Sequence, residues 1–120
     1  MNDRRILNDS TLTELLNVMP PEVLMDLVPM HDATVQTDVE ALLRANAAQD
    51  VEEVRRTAHR IKSASLTLAA HQVAEAARFV EDYAKLGVLE DVPAAAQRIL
   101  HALREYVREM NRRFGMQRPH

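Results

Sequence analysis

His59 and Lys62 stand one helical turn apart, and Ser63 follows directly, in the run Ala58-His59-Arg60-Ile61-Lys62-Ser63-Ala64-Ser65-Leu66-Thr67-Leu68-Ala69-Ala70. Imidazole is the side chain whose unperturbed pKa lies near neutrality, so a nucleophilic neutral form is available. An ammonium beside it stabilises an incoming anion such as a phosphoryl group. Small neighbours leave room for another protein to bring that group close. The competing reading of a lone histidine is a surface side chain in a charged helix face.

These residues need a helix with one buried side. Val51, Val54, Ala58, Ile61, Ser65 (small rather than apolar) and Leu68 follow one another in steps of three and four. That is the period of a single buried stripe. His59 is off the stripe, well round the helix at about 100° per residue. Arg55, Arg56, Lys62, Ser63 and Leu66 lie three, four or seven residues from His59 and share its side. The imidazole is therefore expected to project towards solvent.

A turn near Ala70 makes this helix half of a hairpin. His59 is 11 residues before Ala70 and Glu81 is 11 residues after it. On antiparallel helices both stand roughly 16 Å from the turn, at 1.5 Å rise per residue. A carboxylate facing an imidazole accepts its Nδ1–H, fixes the tautomer, leaves Nε2 as the nucleophile and raises its basicity. The same residue also fits a solvated glutamate paired with Arg78 or Lys85 along its own helix.

The run resembles the signature of the histidine-containing phosphotransfer (HPt) domains of bacterial two-component phosphorelays. The match falls on Ala58, His59, Ile61, Lys62, Ala64, Ser65, Leu68 and Ala70, then Val73, Ala74, Ala77 and Glu81. Ser63 and Ala69 stand where glycine is usual in that family. The resemblance implies that His59 is phosphorylated, that Lys62 offsets charge on the phosphoryl oxygens, and that Glu81 orients His59. It implies response-regulator receiver domains and a sensor or hybrid histidine kinase as partners. Magnesium is then expected on the receiver, with no cofactor held by this chain. Arg55, Arg56, Ser63 and Leu66 are the candidate partner-binding residues. An exposed leucine beside a reactive group suits docking, although single exposed leucines are common. The arginines at the rim fit a steering role.

Composition bounds the rest. The chain has 120 residues, enough for one domain with a modest core, and no cysteine for a disulfide framework or thiol chemistry. A formal net charge of −3 argues against a nucleic-acid partner. No apolar run resembles a signal peptide or approaches the ~18 residues of a spanning helix, so a cytoplasmic location is expected. The five histidines, His31, His59, His71, His101 and His120, show no metal-ligand spacing. Two glycines, Gly87 and Gly115, cannot form a phosphate-binding loop, so no ATP site of its own is expected.

Few glycines and abundant alanine, leucine, glutamate and arginine favour helices. The expected architecture is all-α: a single domain folded as an antiparallel four-helix bundle with a short extra N-terminal helix. Residues 1–9 and 115–120 are read as loose tails. Thr11-Leu12-Thr13-Glu14 has the capping-box form and opens the short helix, which ends before Pro20. A second helix is expected from about Pro21 to Ala47, with Leu24, Leu27, Val28, Val35, Val39, Leu42 and Leu43 on its stripe. Pro29 predicts a kink or break inside it, and His31 reads as a partly buried core histidine. Asp50 caps the third helix, expected over about 51–69, and the fourth is expected over about 72–86 with Gly87 as its stop. Asp91 caps a fifth, with Pro93 in its first turn and Val92, Ala95, Ile99, Ala102, Leu103, Tyr106, Met110 and Phe114 buried.

The function expected is that of a monomeric phosphorelay intermediate. His59 takes a phosphoryl group from a receiver's phosphoaspartate and passes it to another receiver. Two alternatives remain: an HPt-like module that binds receivers or a kinase without phosphotransfer, and the dimerising helical hairpin of a histidine kinase. The kinase hairpin usually has an acidic residue directly after its histidine and a proline a few positions on. Here Arg60 follows His59, and the next proline is Pro93.

Overall fold

The computed structural model describes residues 5–115. Five helices follow in order: α1 (Asp9–Val18), α2 (Pro21–Ala47), α3 (Val51–Thr67), α4 (His71–Lys85) and α5 (Val92–Phe114). The long helices pack in the cyclic order α2, α3, α4, α5, each against the next and α5 back against α2. Each buries one stripe, and the stripes meet in a single core. Leu24, Val39, Leu42, Val54, Ile61, Val73, Val80, Ile99, Leu103, Tyr106 and Met110 are all withdrawn from water. The architecture is thus the all-α bundle with a short additional helix.

Several local expectations change. The tail reading fails for residues 5–9: Leu7 is buried and bridges to Ala70, Asn8 N–H donates to Ala69 O, and His71 N–H donates to Ile6 O. This segment closes the α3–α4 turn, where its apolar side chains find cover. Residues 1–4 and 116–120 lie outside the described part. The cap of α1 is Asn8, whose side chain accepts from Thr11 N–H, so the helix begins before the Thr11 capping box. The break at Pro29 does not occur, because α2 is continuous from Pro21 to Ala47. Pro29 is exposed, which keeps its ring on the solvent side of the helix. Leu27 and Leu43 are only half-buried; Met25, His31 and Ala45 complete the stripe instead. Asp50 caps α3 through Glu53 N–H, whereas Asp91 makes no side-chain cap bond at α5.

Three helices end in one device. After α2, α3 and α4 the chain passes through a left-handed residue: Gln49 at φ 57°, Ala69 at φ 63° and Gly87 at φ 72°. At each, two backbone N–H groups turn back onto the last turn's carbonyls. For α3 these are Ala70 N–H to Ser65 O and Ala69 N–H to Leu66 O. That pattern is the Schellman ending, which favours glycine at the left-handed position. Only α4 has the glycine. Tyr106 on α5 adds a further tie at the end of α3, donating its hydroxyl to Leu68 O at 2.9 Å.

Beneath the α3 stripe, His31 is 5% exposed. Its Nε2 lies 3.2 Å from Ser65 Oγ, and its ring meets Tyr106 edge-on. Burial holds its pKa below the ordinary value, against the upward pull of Asp32 and Asp38.

Two expectations for stability follow from these positions. A β-branched side chain at a buried left-handed residue adds strain and volume together. Ala69→Val should therefore cost about 2 kcal/mol or more in denaturant unfolding. Ala69→Gly, which relieves the backbone but loses a methyl and adds chain entropy, should stay within about 1 kcal/mol of the parent. For His31, the unfolded chain binds the proton first, so stability is lost as pH falls below the unfolded value of 6.5. A His31→Gln variant removes that group, so its Tm should fall less steeply than the parent's between about pH 7 and about pH 5.

Candidate functional site

Glu81 is where the site begins. Its position in α4 is four residues after Ala77 and three before Ala84, inside the buried stripe. Its side chain is 3% exposed. A carboxylate withdrawn from water needs charged or hydrogen-bonding partners. Two reach it from α3. Lys62 Nζ donates to Oε1 at 2.6 Å, and His59 Nδ1 lies 2.8 Å from Oε2. Burial alone would raise the carboxyl's pKa, but the hydrogen bonds from Lys62 and His59 outweigh it, and the group sits below its ordinary range.

An ionised carboxylate only accepts hydrogen bonds. Nδ1 of His59 is therefore the protonated nitrogen of the neutral ring, and Nε2 carries the lone pair. The ring is half exposed, so its base is clamped by a buried acid while its outer edge is open. Ser63, one turn on, places its hydroxyl 3.4 Å from Nε2. An imidazole held in this way is a nucleophile with its tautomer and direction fixed in advance.

The other sequence-picked residues share the face without joining the cluster. Leu66 lies off the buried stripe of α3 and is exposed. Arg55 is bound to Glu52 and Arg56 to Glu53, each along α3. Lys62 points across the hairpin, and its ammonium is engaged by Glu81. Two contacts had not been read from the sequence. One is the Lys62–Glu81 bond itself, although Glu81 at a stripe position signals a buried acid in need of a cation. The other is Arg60, which bonds Asp38 at 3.1 Å and ties α3 to α2; nothing in the spacing announces a pair so distant in sequence. Among the described residues no group of three or more metal-ligating side chains is found, and no helix is long and apolar enough to cross a membrane.

Comparison with known proteins gives two matches. A solved structure of similar fold is histidine-containing phosphotransfer protein B (HptB) from Pseudomonas aeruginosa PAO1. It superposes with a TM-score of 0.81 over 97% of this chain and 100% of that one, at 24% identity. No curated protein sequence matches significantly. The family model described as the Hpt domain matches residues 29–112, which span α2 from Pro29 through nearly all of α5. The chain belongs to the Hpt domain family and is a histidine phosphotransfer intermediate of the two-component phosphorelay kind.

Proposed function

We propose that His59 is the residue that carries the phosphoryl group, and that a receiver domain's phosphoaspartate supplies it. The observation that carries this reading is the 2.8 Å contact between His59 Nδ1 and the buried Glu81 carboxylate, with Nε2 facing outward. In the transfer, the Nε2 lone pair forms the bond to phosphorus. The acyl-phosphate P–O bond breaks, and the receiver's aspartate leaves as a carboxylate. The proton on Nδ1 stays in place. The ring becomes cationic as the N–P bond forms, and Glu81 lies against that developing charge. The reverse sequence passes the group to a second receiver.

Lys62 contributes through Glu81 in the resting protein, holding the carboxylate ionised and aimed. Arg55, Arg56 and Leu66 surround the ring as the rim on which a receiver would dock. The transfer requires positioning and charge neutralisation more than covalent machinery. The magnesium ion of the reaction belongs to the receiver in this reading, and the chain works as a carrier without an ATP site of its own. A single chain covers both apolar faces of the α3–α4 hairpin with α2 and α5. That supports a self-contained carrier over a kinase hairpin that completes its bundle by dimerising.

Phosphate uptake is the decisive experiment. Mixed with a receiver phosphorylated on aspartate, the protein should acquire acid-labile, base-stable phosphate, and His59→Gln should acquire none. Binding of receivers without any label on the parent protein would instead identify an interaction module. Glu81→Gln keeps the shape of the acid and loses its charge. It should slow uptake about tenfold or more while leaving the helical circular dichroism intact.

A further inference from the structure

Ser63 is the donor that the described residues place on the reacting nitrogen. Its hydroxyl and His59 Nε2 are 3.4 Å apart, four residues along one helix face. Because Glu81 keeps the ring proton on Nδ1, Nε2 has only a lone pair to offer, so the hydrogen between them is the serine's. The contact is long for a hydrogen bond and therefore easily exchanged for a better one. The nearby cations are committed to carboxylates: Lys62 to Glu81, Arg55 to Glu52 and Arg56 to Glu53. Ser63 is exposed, and its O–H can rotate about the Cβ–Oγ bond to meet a new acceptor.

On the reading that His59 is the phosphorylated residue, we infer that Ser63 is a ligand of the phosphoryl group and helps to retain it on the carrier. In the resting protein its O–H points at the Nε2 lone pair. Once phosphorus occupies that position, the same O–H turns to a peripheral phosphoryl oxygen a short distance away. No proton is transferred, because the hydrogen stays on the serine and only its acceptor changes. The new acceptor is anionic, and hydrogen bonds to charged oxygens are stronger than neutral ones. The exchange thus favours the phosphorylated carrier over the resting one. Here the residue after Lys62 supplies a hydroxyl where a glycine could supply nothing.

The test is the partition of phosphate at equilibrium between this protein and a phosphorylated receiver domain, for the parent, Ser63→Ala, Ser63→Gly and Ser63→Thr. Ser63→Ala and Ser63→Gly should hold roughly three- to tenfold less phosphate than the parent, as expected for one bond to a charged group at an exposed site. Ser63→Thr, which keeps the hydroxyl, should stay near the parent. The 15N resonance of His59 Nε2 in the unphosphorylated protein should move in Ser63→Ala and hold in Ser63→Thr. Equal or greater phosphate on Ser63→Ala overturns the inference, as does a Ser63→Thr variant that falls with it. If the parent takes no label, either from the receiver or from phosphoramidate as a small-molecule donor, the phosphocarrier reading fails and this inference falls with it. If the parent is labelled on His59 and Ser63→Ala matches it, only the role of Ser63 is lost.

Discussion

A single carboxylate sets the terms for this bundle. Glu81 is buried between α3 and α4, where an unpaired charge would be strongly unfavourable. Its two oxygens are taken separately, one by Lys62 and one by His59. Both partners come from α3, three residues apart, so the pair of contacts also fixes the register of α3 against α4. A slide of one helix past the other by a single turn would part the acid from both partners. The chemistry and the packing of the hairpin are therefore one constraint. The imidazole is aimed because the acid is buried, and the acid tolerates burial because it is paired.

The remaining structure keeps that register. The α3–α4 turn is closed from inside by the left-handed Ala69, from α5 by the Tyr106 hydroxyl, and from the N-terminal segment by Leu7 and Asn8. On the other flank Arg60 holds α3 to α2 through Asp38, and His31 reaches Ser65 on the buried side of α3. None of these groups touches the Nε2 edge. They stiffen the helix that carries it from three directions and leave its outer side to a partner.

Much of this was legible in the sequence because it rests on periodicity. The stripes of α3 and α5 place the core with few errors, and counting outward from Ala70 brings His59 and Glu81 to one height. Where the reading fell short, the cause was context that local rules do not contain. Gln49 and Ala69 occupy left-handed positions that a glycine would have advertised, and only Gly87 gave that signal. Pro29 was a sound reason to expect a break, yet α2 stays continuous, with the proline on its exposed side. Leu7 looked like tail because its partner, Ala70, lies far along the chain. The Lys62 contact is not announced by local spacing, because it depends on Glu81 lying within the buried stripe of α4.

The closing of the turn by residues 6–8 has a geometric outcome. Arg113 near the end of α5 pairs with Asp9 at the start of α1, so the two limits of the described chain lie together. Both lie by the α3–α4 turn, and His59 is roughly 16 Å up the hairpin from there. The described chain thus enters the bundle at its turn end, and α5 closes beside that entry. Among the described residues, neither terminal segment crosses the histidine face. A bundle built this way keeps both limits of its described chain away from the histidine and leaves that face open to one visiting protein after another.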